Sequence, residues 1–128
     1  MTVVDATFLI DFLRGSAEAR ARMKAAEEAG EILKVTPVVA YEVLVGAHGR
    51  GGRHLQRARE LVRALVFLPL GLDGVEEAAR AGAELRRRGT PLGPMDTLNA
   101  GAALNGGDRM LTKDSDYARN PGLVVESY

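Results

Sequence analysis

Three carboxylates stand alone in runs that are otherwise uncharged. Asp5 follows Thr2, Val3 and Val4 and opens an apolar stretch from Ala6 to Leu13 that only Thr7 and Asp11 interrupt. Glu42 is the sole formally charged residue between Lys34 and Arg50, and Asp96 the sole one between Arg88 and Asp108. A buried carboxylate is costly unless it is paired or binds a metal. Basic residues close in sequence are few, so local ion pairs do not account for these three. A fourth acid, Asp114, follows the apolar pair Met110 and Leu111 much as Asp5 follows Val3 and Val4. If the four converge, their repulsion is large: two charges 4 Å apart cost roughly 4 kcal/mol at an effective dielectric of 20. Protonation or a cation relieves it. The chain has no cysteine, and hard oxygen donors suit Mg²⁺ or Mn²⁺ rather than Zn²⁺. His48 and His54, with no acid between them, are poorly spaced as metal ligands.

Each acid also has a plainer reading. Asp5 is a favourable helix N-cap. Glu42 can reach solvent from a helix edge. Asp96 suits the first turn of a helix, where the dipole favours negative charge. Asp114 suits a turn. All four plain readings must hold together to remove the case for a site.

The elements that position these residues alternate. A short buried strand ends at Asp5 and turns at once into a helix; in open α/β sheets ligands bind beyond the carboxyl ends of strands. Residues 16–29 read as a solvated helix with Ser16 as cap and Gly30 as stop, and residues 32–36 as a second strand. Thr36 and Pro37 open a nearly all-apolar helix that runs to about Ala47 and carries Glu42. Residues 48–54 read as a flexible basic link, residues 55–65 as an amphipathic helix and residues 66–70 as a third strand. Asp73 and Glu76 resemble a capping box for a helix that ends at Arg88. Pro94 opens a small-residue helix bearing Asp96. A short strand over residues 109–112 leads to Asp114, and residues 123–126 form a last strand. This order predicts a three-layer α/β fold with a mostly parallel central sheet flanked by helices.

At 128 residues and 46% hydrophobic content, the chain fits a single domain over residues 1–128 with an ordinary core. Lys and Arg total 17, as do Asp and Glu, so any phosphate binding depends on a local patch rather than net charge. There is no basic leader before the first strand and no apolar run near the roughly 18 residues of a membrane span. A cytoplasmic location is the expectation.

The segments VVDATFLIDFLRG, TPVVAYEVLVGA, GPMDTLNAGAAL and MLTKDSDYARNPGLVVESY, in this order and setting, resemble the PIN-domain ribonucleases, and among them the VapC-type toxins of toxin–antitoxin pairs. The resemblance spans essentially the whole chain. It implies a PIN-like fold and four catalytic acids, Asp5, Glu42, Asp96 and Asp114, with Asp116 as an auxiliary. Asn99 departs from the pattern, which more often has an aliphatic residue there; three positions after Asp96 it shares that helix face and can support the site. The implied activity is Mg²⁺- or Mn²⁺-dependent endonucleolytic hydrolysis of RNA, with Asp5 and Asp96 as direct metal ligands. Thr7 and Thr112 are hydroxyls near the same strand ends, more suited to local capping. Arg14, Arg50, Arg53, Lys113 and Arg119 are candidate phosphate contacts, and Tyr41 and Tyr117 candidate stacking residues. The implied partners are RNA, a cognate antitoxin and a second copy of the chain, the last through residues 55–65. Two rivals remain: a catalytically silent PIN-like module that binds RNA or a partner, and a receiver-like signalling domain, for which the chain lacks an acidic pair at the first strand.

Overall fold

The computed structural model describes residues 1–128. β1 (Thr2–Val4) passes through Asp5 into α1 (Ala6–Leu13), followed by α2 (Ala17–Ala29), β2 (Leu33–Val35), α3 (Pro37–Arg50), α4 (Gly52–Ala64) and β3 (Val66–Phe67). The chain continues through α5 (Leu72–Arg87), α6 (Pro94–Gly106), β4 (Arg109–Leu111), a 3₁₀ helix (Ser115–Arg119) and β5 (Val125–Glu126). The five strands form one sheet in the order β3-β2-β1-β4-β5, and every pairing is parallel. The expected α/β architecture is therefore present. The order also disposes of the receiver-like alternative, whose sheet runs 2-1-3-4-5; here β1 is central and pairs directly with β2 and β4.

Strand alternation sends neighbouring side chains to opposite faces. Val4, Leu33, Val35 and Leu111 join the apolar core under α1 to α4, with Phe8, Leu9 and Val39. Val3 and Met110 point to the other face and pack with Ala100 and Ala103 of α6 and with Tyr117. Lys34, between two core-facing residues of β2, reaches across β1 to Asp108 at 2.9 Å. Arg22 likewise joins Glu31 at 2.9 Å and Glu126 at 2.7 Å.

Three local expectations need correction. Residues 48–54 are not a flexible link: α3 continues through Gly46 and Gly49 to Arg50, and the chain breaks only at Gly51, φ 68° and ψ −167°, before α4 begins. Ala47, almost fully buried among the core residues, holds the last turns of α3 in place despite the glycines. Asp73 and Glu76 do not form a capping box; α5 starts after Gly71 and has no side-chain cap. The third strand is also shorter than expected, with Val66 and Phe67 exposed.

α5 and α6 approach closely because small residues meet between them. A Cβ on Gly101 would lie 2.6 Å from both the Cβ of Ala78 and the carbonyl oxygen of Gly74. Gly101→Ala gains about 1 kcal/mol of helix propensity, but overpacking of this kind costs about 1–3 kcal/mol and more when backbone must move. The expected outcome is a net loss of about 2 kcal/mol, read as a lower urea midpoint; an unchanged midpoint would show that the two helices can part freely.

Candidate active site

The carboxyl ends of β1 and β4 meet the first turns of α3 and α6. Asp5 ends β1, and its backbone N–H donates to the Leu111 carbonyl at 3.0 Å, which locks it against β4. Its side chain is 5% exposed and is surrounded by donors. Oδ1 accepts from the backbone N–H of Ala6 at 2.8 Å and from the Tyr117 hydroxyl at 3.3 Å. Oδ2 accepts from the hydroxyls of Thr7 at 3.1 Å and Thr112 at 2.8 Å. Asp5 is thus both helix cap and buried acid at the strand end, so the two readings of the sequence are not alternatives.

Asp96 lies in the first turn of α6, and its Oδ1 accepts from the same Tyr117 hydroxyl at 3.0 Å. The two carboxylate oxygens therefore flank one phenolic oxygen. Glu42, half-buried on α3, faces this pair. Burial and then the charges of Asp5 and Asp96 raise its pKa. Burial also raises that of Asp96, against the Tyr117 hydrogen bond that lowers it; the charges of Asp5, Asp114 and Asp116 then add to the rise. Neither Asp5, Glu42, Asp96 nor Asp114 forms an ion pair, although ten such pairs exist elsewhere in the chain.

Asp114 sits one step further out. Its side chain caps the 3₁₀ helix by accepting from the Asp116 N–H at 2.9 Å, while its own N–H donates to Thr112 Oγ1 at 2.9 Å. Asp116 pairs with Arg119. Thr112 therefore links the strand end, Asp5 and the Asp114 turn through one hydroxyl.

Behind the acids lies a relay of donors. Val39 N–H donates to Thr36 Oγ1 at 3.2 Å, Thr36 donates to Asn99 Oδ1 at 2.6 Å, and Asn99 Nδ2 donates to the Tyr117 oxygen at 3.4 Å. Asn99 is fully buried and supports Tyr117 rather than Asp96 directly. Burial, followed by the nearby Asp5 charge, pushes the Tyr117 pKa far above the usual tyrosine range, so the phenol keeps its proton. Tyr117 is 1% exposed and is not a surface for base stacking. The spacing from Asp114 to Tyr117 carried a signal for this placement, since positions three apart eclipse in a 3₁₀ helix.

The candidate cations divide. Arg14 and Arg50 line a recess of about 170 Å³ with Glu42 and His54. Partial desolvation and the charges of Arg50, Arg57 and Arg14 lower the His54 pKa, which marks how these cations gather. Arg53 is exposed on the first turn of α4 outside that lining. Lys113 pairs with Glu18 and lies 4.8 Å from the centre of the Tyr128 ring. Arg119 is spanned between Asp116 and the Pro91 carbonyl.

The donor chemistry suits a hard divalent cation: oxygen atoms only, several without a cationic partner, with repulsion that a cation would relieve. As the side chains stand, no three of the His, Asp and Glu residues are close enough to ligate one ion together. Asp5 and Asp96, joined through one hydroxyl, are the pair best placed to share one.

The raised Glu42 pKa has a consequence for stability. Its folded-state pKa lies above the unfolded value, so a penalty is absent at low pH and grows as pH rises through the raised pKa. Glu42→Gln in EDTA is expected to melt above the unsubstituted protein at pH 7, with the difference closing near pH 4. A pH-independent difference would show that the cost of ionising Glu42 in this half-buried setting is not the cause.

Comparison with known proteins bears on this geometry. A family profile described as the PIN domain matches residues 2–123. A chain of the VapBC2 complex from Rickettsia felis, bound to a promoter DNA fragment, superposes with a TM-score of 0.88 at 14% identity, over 99% of this chain and 98% of that one. A toxin–antitoxin complex from Klebsiella pneumoniae gives 0.77 at 25% identity, over 97% and 96%. Mycobacterium tuberculosis VapC20, a sarcin–ricin-loop-cleaving toxin, gives 0.73 at 18% identity, over 97% of both chains. No curated protein sequence matches. With the profile covering residues 2–123, all but the two ends of the chain, and the parallel sheet placing Asp5 at its centre, this chain belongs to the PIN domain family.

Proposed function

We propose that this protein is a divalent-cation-dependent endoribonuclease and the toxin of a toxin–antitoxin pair. The observation that carries the reading is that Asp5, Glu42 and Asp96 come from three separate elements and form no ion pair, and that burial first and their mutual charges second raise the pKa values of Glu42 and Asp96. A bound Mg²⁺ or Mn²⁺ supplies positive charge for a phosphate oxygen and lowers the pKa of a bound water. Asp5 and Asp96 would hold such an ion, and Glu42 and Asp114 would complete the acidic surround, with Asp116 as an outer auxiliary. Thr7 and Thr112 fix the Asp5 carboxylate by donating to Oδ2. Arg14 and Arg50, beside Glu42, bind RNA phosphates flanking the scissile bond; Arg53 and Lys113 add at most diffuse attraction, Lys113 being engaged by Glu18.

The partners follow from the likeness. The Rickettsia and Klebsiella neighbours are toxin–antitoxin complexes, which supports a cognate antitoxin here, and a homodimer and a cytoplasmic location are proposed with it. No helix is long and apolar enough to cross a membrane. The second reading, a silent PIN module that binds RNA without cutting it, draws on the absence of three acids in ligating distance of one point.

Purified protein incubated with RNA and Mn²⁺ or Mg²⁺ separates the two. Cleavage that EDTA abolishes is expected, and Asp5→Asn should lower it at least about 100-fold, beyond the 10–100-fold typical of losing an outer-shell partner, with its circular dichroism retained. Undiminished cleavage by Asp5→Asn would assign the activity to a contaminant or another site; binding without cleavage would favour the silent module. Arg14→Ala and Arg50→Ala should each weaken RNA binding and flatten its salt dependence by about one unit of slope, read by fluorescence anisotropy across a salt series.

A further inference from the structure

Asp5 is saturated in this structure. An ionised carboxylate offers about four acceptor positions, and four donors occupy them: Ala6 N–H, Thr7, Thr112 and Tyr117. Ala6 is fixed by the start of α1, and the Thr112 hydroxyl at 2.8 Å is tied to the Asp114 turn. The Tyr117 hydroxyl makes the longest of the four contacts, 3.3 Å, and has a second acceptor, Asp96, at 3.0 Å. It carries a single proton. When that proton goes to Asp96, Asp96 is oriented and the phenolic oxygen stays beside Oδ1 of Asp5, so one atom fixes how far apart the two carboxylates stand.

We infer that Tyr117 is a positioning residue for the cation site: held from behind by Asn99, its hydroxyl donates to Asp96 and sets the spacing of the Asp5 and Asp96 carboxylates that a divalent ion would meet. The inference rests on the proposed metal-dependent activity and deepens it. Three observations support it independently of that activity. Tyr117 is 1% exposed, so its hydroxyl approaches from the core side and not from solvent. Asn99 is fully buried in a face otherwise made of Ala100, Ala103, Met110 and Val3, where an amide is justified only by the bonds it makes. Those bonds run in one sense, from the start of α3 through Thr36 and Asn99 to the Tyr117 oxygen, so each donor polarises the next toward the acids. The chain of hydrogen bonds makes the phenol a directed donor instead of a ring that merely fills space.

The test measures Mn²⁺ affinity of the full-length protein by the free-ion electron paramagnetic resonance signal, alongside thermal melting in EDTA. Tyr117→Phe keeps the ring and removes only the hydroxyl. It is expected to melt within a few degrees of the unsubstituted protein and to bind Mn²⁺ about 10-fold more weakly, the range for a lost outer-shell partner. Asn99→Leu, which leaves the phenol in place, should shift the affinity in the same direction by less. Unchanged or tighter Mn²⁺ binding by Tyr117→Phe overturns the inference, as does lost RNA cleavage with intact Mn²⁺ affinity, which would make the hydroxyl a substrate contact. If Tyr117→Phe fails to fold, Asn99→Leu decides, and an unaltered affinity there overturns it. Absence of Mn²⁺ binding by the unsubstituted protein would instead overturn the metal-dependent reading itself, and this inference with it.

Discussion

Negative charge without a counter-charge is the constraint around which the rest of the molecule is arranged. The acids along the opposite edge of the sheet are answered by cations: Asp108 by Lys34, and Glu31 and Glu126 by Arg22. At the ends of β1 and β4 they are answered only by neutral donors. Hydroxyls and one backbone N–H crowd Asp5, and one phenol serves both Asp5 and Asp96. Neutral donors soften repulsion between carboxylates without cancelling it, and burial together with the remaining repulsion raises the pKa values of Glu42 and Asp96.

Parallel pairing makes the arrangement rigid. β1 lies between β2 and β4, so Asp5 is flanked on one side by the turn into α3, which carries Thr36 and Glu42, and on the other by Thr112 and Asp114. Alternation along β1 then places Val4 in one core and Val3 in the other. The strand that presents Asp5 is clamped on both faces. α6 brings Asp96 in from the far layer, and its small residues let it sit close enough to α5 and the sheet for Asn99 to reach Tyr117. Packing and polar chemistry are coupled here, because the same close approach that buries Ala100 and Ala103 buries the donor relay.

Much of the fold was legible from local signals. Ser16, Thr36 and Pro94 sit at helix starts as their chemistry suggests, and the alternation of strand and helix led to the parallel sheet that is present. Local rules failed elsewhere. Residues 48–54 read as a flexible basic link, yet α3 runs on to Arg50 and α4 begins at Gly52, with Gly51 as the only break. Tyr117 read as an exposed stacking residue because tyrosine is amphipathic; the 3₁₀ turn after Asp114 carried it inward instead. Lys113 read as a free cation beside the acids, and its neighbour across space, Glu18, was invisible at a distance of ninety-five residues.

The amino-acid order by itself determined the chemistry available: oxygen donors, no thiol, and acids isolated in apolar runs at the ends of strands and the starts of helices. These are properties of neighbours in the chain, and local physics reads them. Tertiary structure alone decided which groups answer which. Tyr117 meets Asp5 across 112 positions and Thr112 meets it across 107, and Arg14, at the end of α1, lines one recess with Glu42 of α3. Such pairings follow from the order of strands in the sheet and the depth of each side chain. Neither quantity is written in any short stretch of sequence.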